Sequence, residues 1–209
     1  MNRAFIYGDL LFETIKLVDG SPLQAHAHFD RLQRSAQLLK FESTLTFNQF
    51  VEAIVAQAQK NNLTEARIRF VLHRNAEGFY TPVNNQTLFF VECFPLTEAK
   101  QQIKIGLYTD NYKPCNELSI IKSGNALVYI MAGIWAKENG YDDALILNEH
   151  GCVCEATSSN IFIVKDNQLY TPTIAEGALP GVIRHLLVHK LDCQIMETEI
   201  TQDALLDAD

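Results

Sequence analysis

Lys122 stands in the stretch IIKSGNALVYIMA, directly ahead of the apolar stripe of a predicted helix. A lysine that serves as a nucleophile or base must be partly desolvated, because only its neutral amine form reacts. A place between a small-residue turn and an apolar helix favours such desolvation. The pattern makes Lys122 a candidate for amine chemistry, with partners that must come from elsewhere in the chain.

Glu155 is the second candidate, because it lies at the end of a predicted strand in CVCEATSSN. A carboxylate among apolar strand residues needs a partner, and a protonated ring nitrogen of a ligand would be one. The alternative is a glutamate at the rim of the domain, surrounded by water. The residues by themselves leave both interpretations open.

Two further features are suited to binding an anion such as phosphate. Gly181, Val182 and Ile183 begin a predicted helix, where backbone N–H groups lack partners within the helix and the helix dipole favours negative charge. Arg31 lies on another predicted helix beside Leu32. It is either a bidentate phosphate ligand or a surface arginine whose stem covers apolar neighbours, and the turn at Gly181 is equally consistent with an ordinary helix start.

The spacing of cysteine and histidine residues does not favour a metal site. Cys152 and Cys154 project to the same face of a strand without a second ligand pair nearby, so packing of small side chains is the favoured interpretation. His26 and His28 diverge on a helix. We therefore predict no metal.

The first half of the chain predicts an α+β domain that would carry Arg31. The segment DLLFETIKLV predicts a strand, and Asp19-Gly20 predicts a hairpin turn after it. Two helices are expected next, the first with Phe29, Leu32, Ala36 and Leu39 on one face and the second with a capping box at Thr46. Two strands are expected at Ala66–Arg74 and Thr87–Phe94.

The second half predicts strands joined by tight turns, which would carry Lys122 and Glu155. A strand in IKIGLYTD leads to a loop holding Lys113, and the following helix is expected to bury a stripe of Leu127, Ile130, Met131 and Ile134. Turns at Gly151 and at Asp166-Asn167 separate short strands, and a Pro-Gly break precedes the last amphipathic helix. We expect a barrel-like domain of mostly antiparallel strands. The predicted bounds are 1–95 for the small domain, 96–102 for a linker and 103–209 for the larger domain.

Composition narrows the classes of function. The chain has 209 residues, 47% of them hydrophobic, and a formal net charge of -8, so it can bury a core and offers no basic field for nucleic acid. Five cysteines without a signal-like segment favour reduced thiols in a cytoplasm, and no apolar run approaches the roughly 20 residues that span a bilayer. A small-molecule ligand is the expected partner.

The chain resembles the class IV aminotransferases, which are fold-type IV pyridoxal-phosphate (PLP) enzymes. The resemblance runs from Asn2 to Leu187 and rests on the segments YGDLLFETIKLVDGSPLQAHAHFDRLQRSAQLL, IKSGNALVYIMAGIWAKENGYDDALILNEHGCVCEATSSNIFIVKDNQLYTP and LPGVIRHLL. The family contains branched-chain aminotransferases, D-amino acid aminotransferases and 4-amino-4-deoxychorismate lyases. It implies a two-domain fold with a small N-terminal α/β sandwich and a C-terminal pseudo-barrel, PLP as cofactor, a small amino or keto acid as substrate, and a homodimer.

The resemblance also implies a role for each candidate residue. Lys122 corresponds to the Schiff-base lysine and Glu155 to the carboxylate paired with the pyridine nitrogen, so these two are the predicted catalytic residues. The predicted cofactor-binding residues are Arg31, Lys122, Glu155, Ser158, Ser159, Asn160, Leu179, Gly181, Val182 and Ile183. Among them Arg31 and the amides of Val182 and Ile183 correspond to phosphate ligands, and Leu179 to the apolar residue against the ring.

Several departures from the family leave the substrate open. Phe12 stands where several relatives have tyrosine, KSGNA replaces the longer motif of the branched-chain enzymes, and NAEGFYTP has no arginine to bind a substrate carboxylate. The opening hairpin and the final strands and helix of the family are missing, so we expect either an incomplete sequence or a reduced form of the enzyme that is shortened at both ends. The favoured prediction is that the protein is an aminotransferase. The alternatives are a 4-amino-4-deoxychorismate lyase and, from another class, a catalytically silent PLP-binding or dimeric interaction domain.

Overall fold

The structure is a computed structural model that describes residues 2–190 and 193–209. The chain divides into two compact units, the first made of Met1–Ala99 with Lys122–Asn125 and the second of Lys100–Ile121 with Ala126–Asp209. The domain bounds drawn from the sequence stay a prediction. They do not anticipate that the short segment containing Lys122 groups with the first unit.

The first unit is an antiparallel sheet with helices. Its elements in chain order are α1 (Arg3–Tyr7), β1 (Leu10–Val18), β2 (Ser21–Pro22), α2 (Ala25–Leu38), α3 (Phe47–Lys60), β3 (Ala66–Arg74) and β4 (Thr87–Pro95). The strand order is β2-β1-β3-β4. Asp19 and Gly20 have φ angles of 49° and 72°, as a primed hairpin turn requires, so the predicted hairpin is confirmed.

The helices of the first unit begin where local signals place them. The Thr46 side chain accepts a hydrogen bond from the Gln49 amide, and the Gln49 side chain accepts one from the Thr46 amide, so the predicted capping box is confirmed at the start of α3. On β1, burial alternates with a period of two, and Leu11, Ile15 and Leu17 are almost completely buried. Glu13 lies on the same buried face.

The second unit contains two small mixed sheets. Its elements are β5 (Ile105–Lys113), α4 (Leu127–Glu138), β6 (Asp143–Asn148), β7 (Val153–Ala156), β8 (Ile163–Lys165), β9 (Gln168–Pro172), a 3₁₀ turn (Ile174–Glu176), α5 (Val182–Lys190), β10 (Ile195–Thr198) and α6 (Gln202–Leu206). The sheets have the orders β5-β6-β7 and β10-β9-β8. Within residues 2–190 and 193–209, none of the helices has the length and apolar character needed to cross a membrane.

The prediction of mostly antiparallel strands is wrong for this unit. Strands β6 and β7 pair antiparallel, as do β8 and β9, but β5 pairs parallel with β6 and β9 parallel with β10. The reason is the connection between the strands. A tight turn joins antiparallel neighbours, whereas α4 and α5 each carry the chain back across to start a parallel neighbour.

The predicted buried face of α4 is also wrong. Leu127 is 75% exposed and the three other members of the predicted stripe are 45–53% exposed. The helix instead buries Ala132 and Ala136 against β5 and β6, together with partly buried Tyr129 and Trp135. Apolar residues surround this helix on most sides, so periodicity in the sequence cannot decide which face packs inward.

Candidate active site

Lys122 is held at an open edge of β1. The Phe12 amide donates to the Lys122 carbonyl at 2.9 Å, and the Gly124 amide donates to the Leu10 carbonyl at 3.1 Å. A Cβ at Gly124 would lie 3.0 Å from the backbone of Gly8, so glycine at this position lets the two segments approach closely without a shift of the backbone. The segment therefore fixes the Lys122 backbone against the sheet, and Lys122 precedes helix α4 as predicted.

The Lys122 side chain has the partly desolvated surroundings that amine chemistry requires. It is half-buried, and its Nζ lies 4.4 Å from the centroid of the Phe12 ring. An aromatic face stabilises an ammonium and excludes water from one side of it. Phe12 thus supplies an apolar wall on one side of the Lys122 side chain.

Arg31 is not a surface arginine. It lies on the inner side of α2, is 6% exposed, and binds Glu13 in a bidentate manner, with Nε 2.8 Å from Oε1 and an Nη2 contact to Oε2. His28 Nδ1 lies 2.7 Å from the same Oε2. The reading as an exposed, stem-covering arginine is therefore wrong.

Glu13 is an ionised carboxylate inside the first unit. Burial would raise its pKa, but hydrogen bonds and charge from His28 and Arg31 outweigh burial and hold the pKa below its usual range. The sheet and α2 thus contain a charge cluster that orients the Arg31 guanidinium.

Glu155 is a buried carboxylate of the second unit. It is 3% exposed on β7, so its reading as a water-exposed rim residue is wrong. Lys113 Nζ lies 2.5 Å from Oε1, the Tyr129 hydroxyl donates to the same oxygen at 2.7 Å, and the Leu179 amide donates to Oε2 at 2.9 Å. The carboxylate is therefore fixed by three donors from three different segments.

Two of these donors were not foreseen in this role. Lys113 is the last residue of β5 rather than part of a loop, and it is 4% exposed. Tyr129 lies in the first turn of α4. Burial and the neighbouring charge of Glu155 raise the pKa of Tyr129 far above its usual value, so the phenol stays a hydrogen-bond donor at any working pH.

The turn before α5 gathers three more of the predicted residues. The Asn160 side chain donates to the Leu179 carbonyl at 2.8 Å. A Cβ on Gly181 would lie 1.9 Å from Asn160 Oδ1, so a larger residue at that position would displace the Asn160 side chain. Glu155, Asn160, Leu179 and Gly181 are thus parts of one arrangement.

Helix α5 begins at Val182, directly after that turn. The first amides of a helix have no acceptor within the helix, and here they belong to Val182, which is buried, and Ile183, which is 62% exposed. This is the geometry that binds anions at helix starts. Ser158 and Ser159 are exposed in the turn after β7, where the Ser159 carbonyl accepts from the Ala156 amide at 2.8 Å. A cofactor-binding role for these two serines stays a prediction.

Cys152 and Cys154 are both buried, as packing of small side chains requires. In the described residues, two groups bring three possible metal-ligand atoms within 4.8 Å of one another, namely Cys115 with Glu149 and His150, and Cys152 with Glu176 and Glu199. Both include exposed acidic side chains, which are common on protein surfaces without a metal. The expectation of a metal-free protein stays a prediction.

The comparisons with known proteins agree with one another. The family model described as amino-transferase class IV matches residues 10–209. A protein of Methanocaldococcus jannaschii, provisionally named a branched-chain-amino-acid aminotransferase, is 30% identical over 216 residues that cover 100% of this chain and 75% of that protein.

Two solved structures extend the likeness to the fold. A branched-chain amino acid aminotransferase of Escherichia coli is 28% identical with a TM-score of 0.91, covering 100% of this chain and 74% of that one. A Legionella pneumophila protein, provisionally named a 4-amino-4-deoxychorismate lyase, is 30% identical with a TM-score of 0.90, covering 100% and 79%.

Proposed function

Because the chain belongs to the class IV aminotransferase family, whose members are PLP enzymes, we propose that it transfers the amino group of a small amino acid by means of Lys122 and Glu155. The observation that carries this proposal is the buried Glu155 carboxylate. It is held by three donors, yet a carboxylate has about four acceptor positions, so it can receive a further N–H group.

The residues present fit PLP by the chemistry of their donors. A protonated ring nitrogen needs a buried carboxylate, which Glu155 supplies. A phosphate needs N–H donors and positive charge. The start of α5 offers the amides of Val182 and Ile183, and Arg31 is a proposed phosphate ligand because the family resemblance gives it that role. Leu179, whose amide contacts Glu155, is assigned to the apolar face of the ring.

The cofactor supplies an electron sink that stabilises negative charge on the substrate α-carbon. The part of the chain's own residues is to hold and move protons. Lys122, half-buried beside Phe12, is the proposed base that would take the proton from the substrate α-carbon and deliver it to the cofactor C4′. Glu155 would hold the proton of the ring nitrogen by accepting its N–H group. Asn160 fixes the turn that carries the Leu179 amide, and so maintains the orientation of Glu155.

A lyase is the second candidate. It is favoured by the Legionella pneumophila structure, whose provisional name is 4-amino-4-deoxychorismate lyase and whose TM-score of 0.90 is close to that of the Escherichia coli aminotransferase. The two activities use the same cofactor and differ in products. Incubation with 4-amino-4-deoxychorismate and assay of 4-aminobenzoate and pyruvate tests the lyase, and a panel of amino donors and keto acids tests the transferase.

Reconstitution with PLP tests the proposal directly. The loaded protein is expected to be yellow, and borohydride reduction is expected to fix the cofactor on Lys122, as mass spectrometry of the digested protein can show. Lys122→Ala is the control and should take up no covalent label. A reduced adduct on another lysine, or none on the loaded wild type, would contradict the assignment.

We also propose that the active protein is a homodimer. Large apolar side chains are exposed on β4 in the first unit and on α4 in the second, among them Phe89, Phe90, Leu127 and Ile130. Such surfaces mark interfaces between proteins, and a two-fold pair is the commonest closed assembly. Sedimentation at micromolar concentration should give the dimer mass. A monomer that binds PLP fully would be evidence against it.

A further inference from the structure

The ion pair of Lys113 with Glu155 is buried on both sides. The two side chains are each 5% exposed, and Nζ lies 2.5 Å from Oε1. A lysine is rarely buried to this extent unless it is paired. Removing two charges from water costs about as much as their attraction returns, so apolar residues would serve stability as well. Stability therefore does not account for Lys113.

The pair is placed by rigid elements. Lys113 is paired in the sheet with Asn148 of β6, and its carbonyl accepts from the Glu149 amide at 3.0 Å. Its Nζ also lies 5.3 Å from the Tyr129 ring, so strand and helix direct two groups at one carboxylate oxygen. Cys154, which precedes Glu155 on β7, is a neutral thiol because burial first, and the charge of Glu155 second, raise its pKa to about 12.

The donors are distributed unequally over the carboxylate. Lys113 and Tyr129 both use Oε1, whereas Oε2 receives the Leu179 amide. A carboxylate oxygen accepts about two hydrogen bonds. Oε1 is thus filled, and among the described residues one acceptor position stays on Oε2.

From this arrangement we infer that Lys113 and Tyr129 are positioning residues that hold Oε1 of Glu155 before PLP arrives, so that Oε2 is left to receive the ring N–H group. Neither residue touches the cofactor in this role. The inference rests on the proposed function, since it concerns how Glu155 meets the ring nitrogen. It adds two residues that the sequence comparison with the family does not single out.

Two measurements on the purified protein test this inference, and neither requires turnover. The first is thermal unfolding of the PLP-free protein for Lys113→Met, Glu155→Gln and the double variant. Lys113→Met should lower Tm by about 10 °C, because it leaves a buried charge without its partner. The double variant should recover much of that loss. Lys100→Met is the control, since Lys100 pairs with Asp142 at 2.5 Å but its side chain is 69% exposed.

The second measurement is the PLP dissociation constant. Lys113→Met should raise it about tenfold to a hundredfold, which corresponds to one charge-assisted contact. Lys113→Arg should restore most of the affinity. Tyr129→Phe should raise the constant by a few fold with little change in Tm, whereas Tyr108→Phe, whose hydroxyl contacts Asn111 instead, should not.

The outcomes separate this inference from the proposed function. Wild-type protein that fails to bind PLP would overturn both. Equal PLP affinity of the wild type and Lys113→Met would overturn the positioning role and leave the proposed function intact. The same conclusion would follow if the Tm losses of the two single variants simply added in the double variant. Coupled Tm losses together with weaker PLP binding in Lys113→Met are the supporting result.

Discussion

Replacing Glu13 with glutamine is expected to destabilise the protein far more than an ordinary loss of charge. Glutamine keeps the shape of the side chain but leaves the Arg31 guanidinium, 6% exposed, without its counter-charge. Arg31 makes two contacts to Glu13 and His28 makes a third. Each charge-assisted contact contributes roughly 1.5 to 3 kcal/mol to the free energy of unfolding, so the loss would be largest if all three contacts were broken.

The expected net loss is smaller, because glutamine can still accept one of these hydrogen bonds. Removing one partner of a buried ion pair typically costs about 3 to 5 kcal/mol, and we expect Glu13→Gln to fall in that range at pH 7. Urea unfolding followed by circular dichroism measures it. Glu92→Gln on β4 is the matched control. Its pair with Arg69 spans 3.6 Å with side chains 43–45% exposed, and the expected loss is under about 1 kcal/mol.

The same variant has a pH signature. The pKa of folded Glu13 is depressed by His28 and Arg31 despite burial, so its contribution is complete above the unfolded value of about 4.3 and is lost as the pH falls through the folded value. The difference in unfolding free energy between wild type and Glu13→Gln should therefore narrow below about pH 4.3. A difference that stays constant down to pH 3, or that is no larger than the effect of Glu92→Gln, would refute the account.

Further expectations concern the glycine turn and the thiols. Gly181→Ala should lower the free energy of unfolding by about 1 to 3 kcal/mol and weaken PLP binding, because the added Cβ would lie 1.9 Å from Asn160 Oδ1. Gly133→Ala is the contrast, because the space around the added atom is open. It should stabilise the protein by about 0.5 to 1 kcal/mol in the same urea assay. Exposed Cys193 should react first with Ellman's reagent, and Cys154, buried and with a pKa raised to about 12, should react only on unfolding.

Elements with strong local signals could be predicted from the sequence. The Asp19-Gly20 turn and the Thr46 capping box depend on residues within four positions of each other, and both occur as expected. The parallel pairing of β5 with β6 and of β9 with β10 was missed because it depends on which distant strands become neighbours. The signals for short hairpins carry no information about those pairings.

The face of α4 shows a second limit of sequence patterns. Leu127, Ile130, Met131 and Ile134 follow helical spacing, yet the buried residues are small, Ala132 and Ala136. Small residues let the helix lie close to β5 and β6, and larger apolar residues then face outward. A hydrophobicity pattern assigns the larger apolar residues to the core. It does not show that small residues are needed where α4 lies close to the sheet.

Of the charged residues that hold the site residues in place, one could be predicted from the sequence and another could not. Glu13 left a readable signal, because it stands in the alternating apolar series of Leu11, Ile15 and Leu17, and a carboxylate on a buried face requires a cation. Lys113 left none. It ends a strand whose second half is polar, and its partner Glu155 lies 42 residues further along the chain. The family motifs identify the residues that are predicted to contact the cofactor. The groups that hold those residues in place come from strands that only the fold brings together.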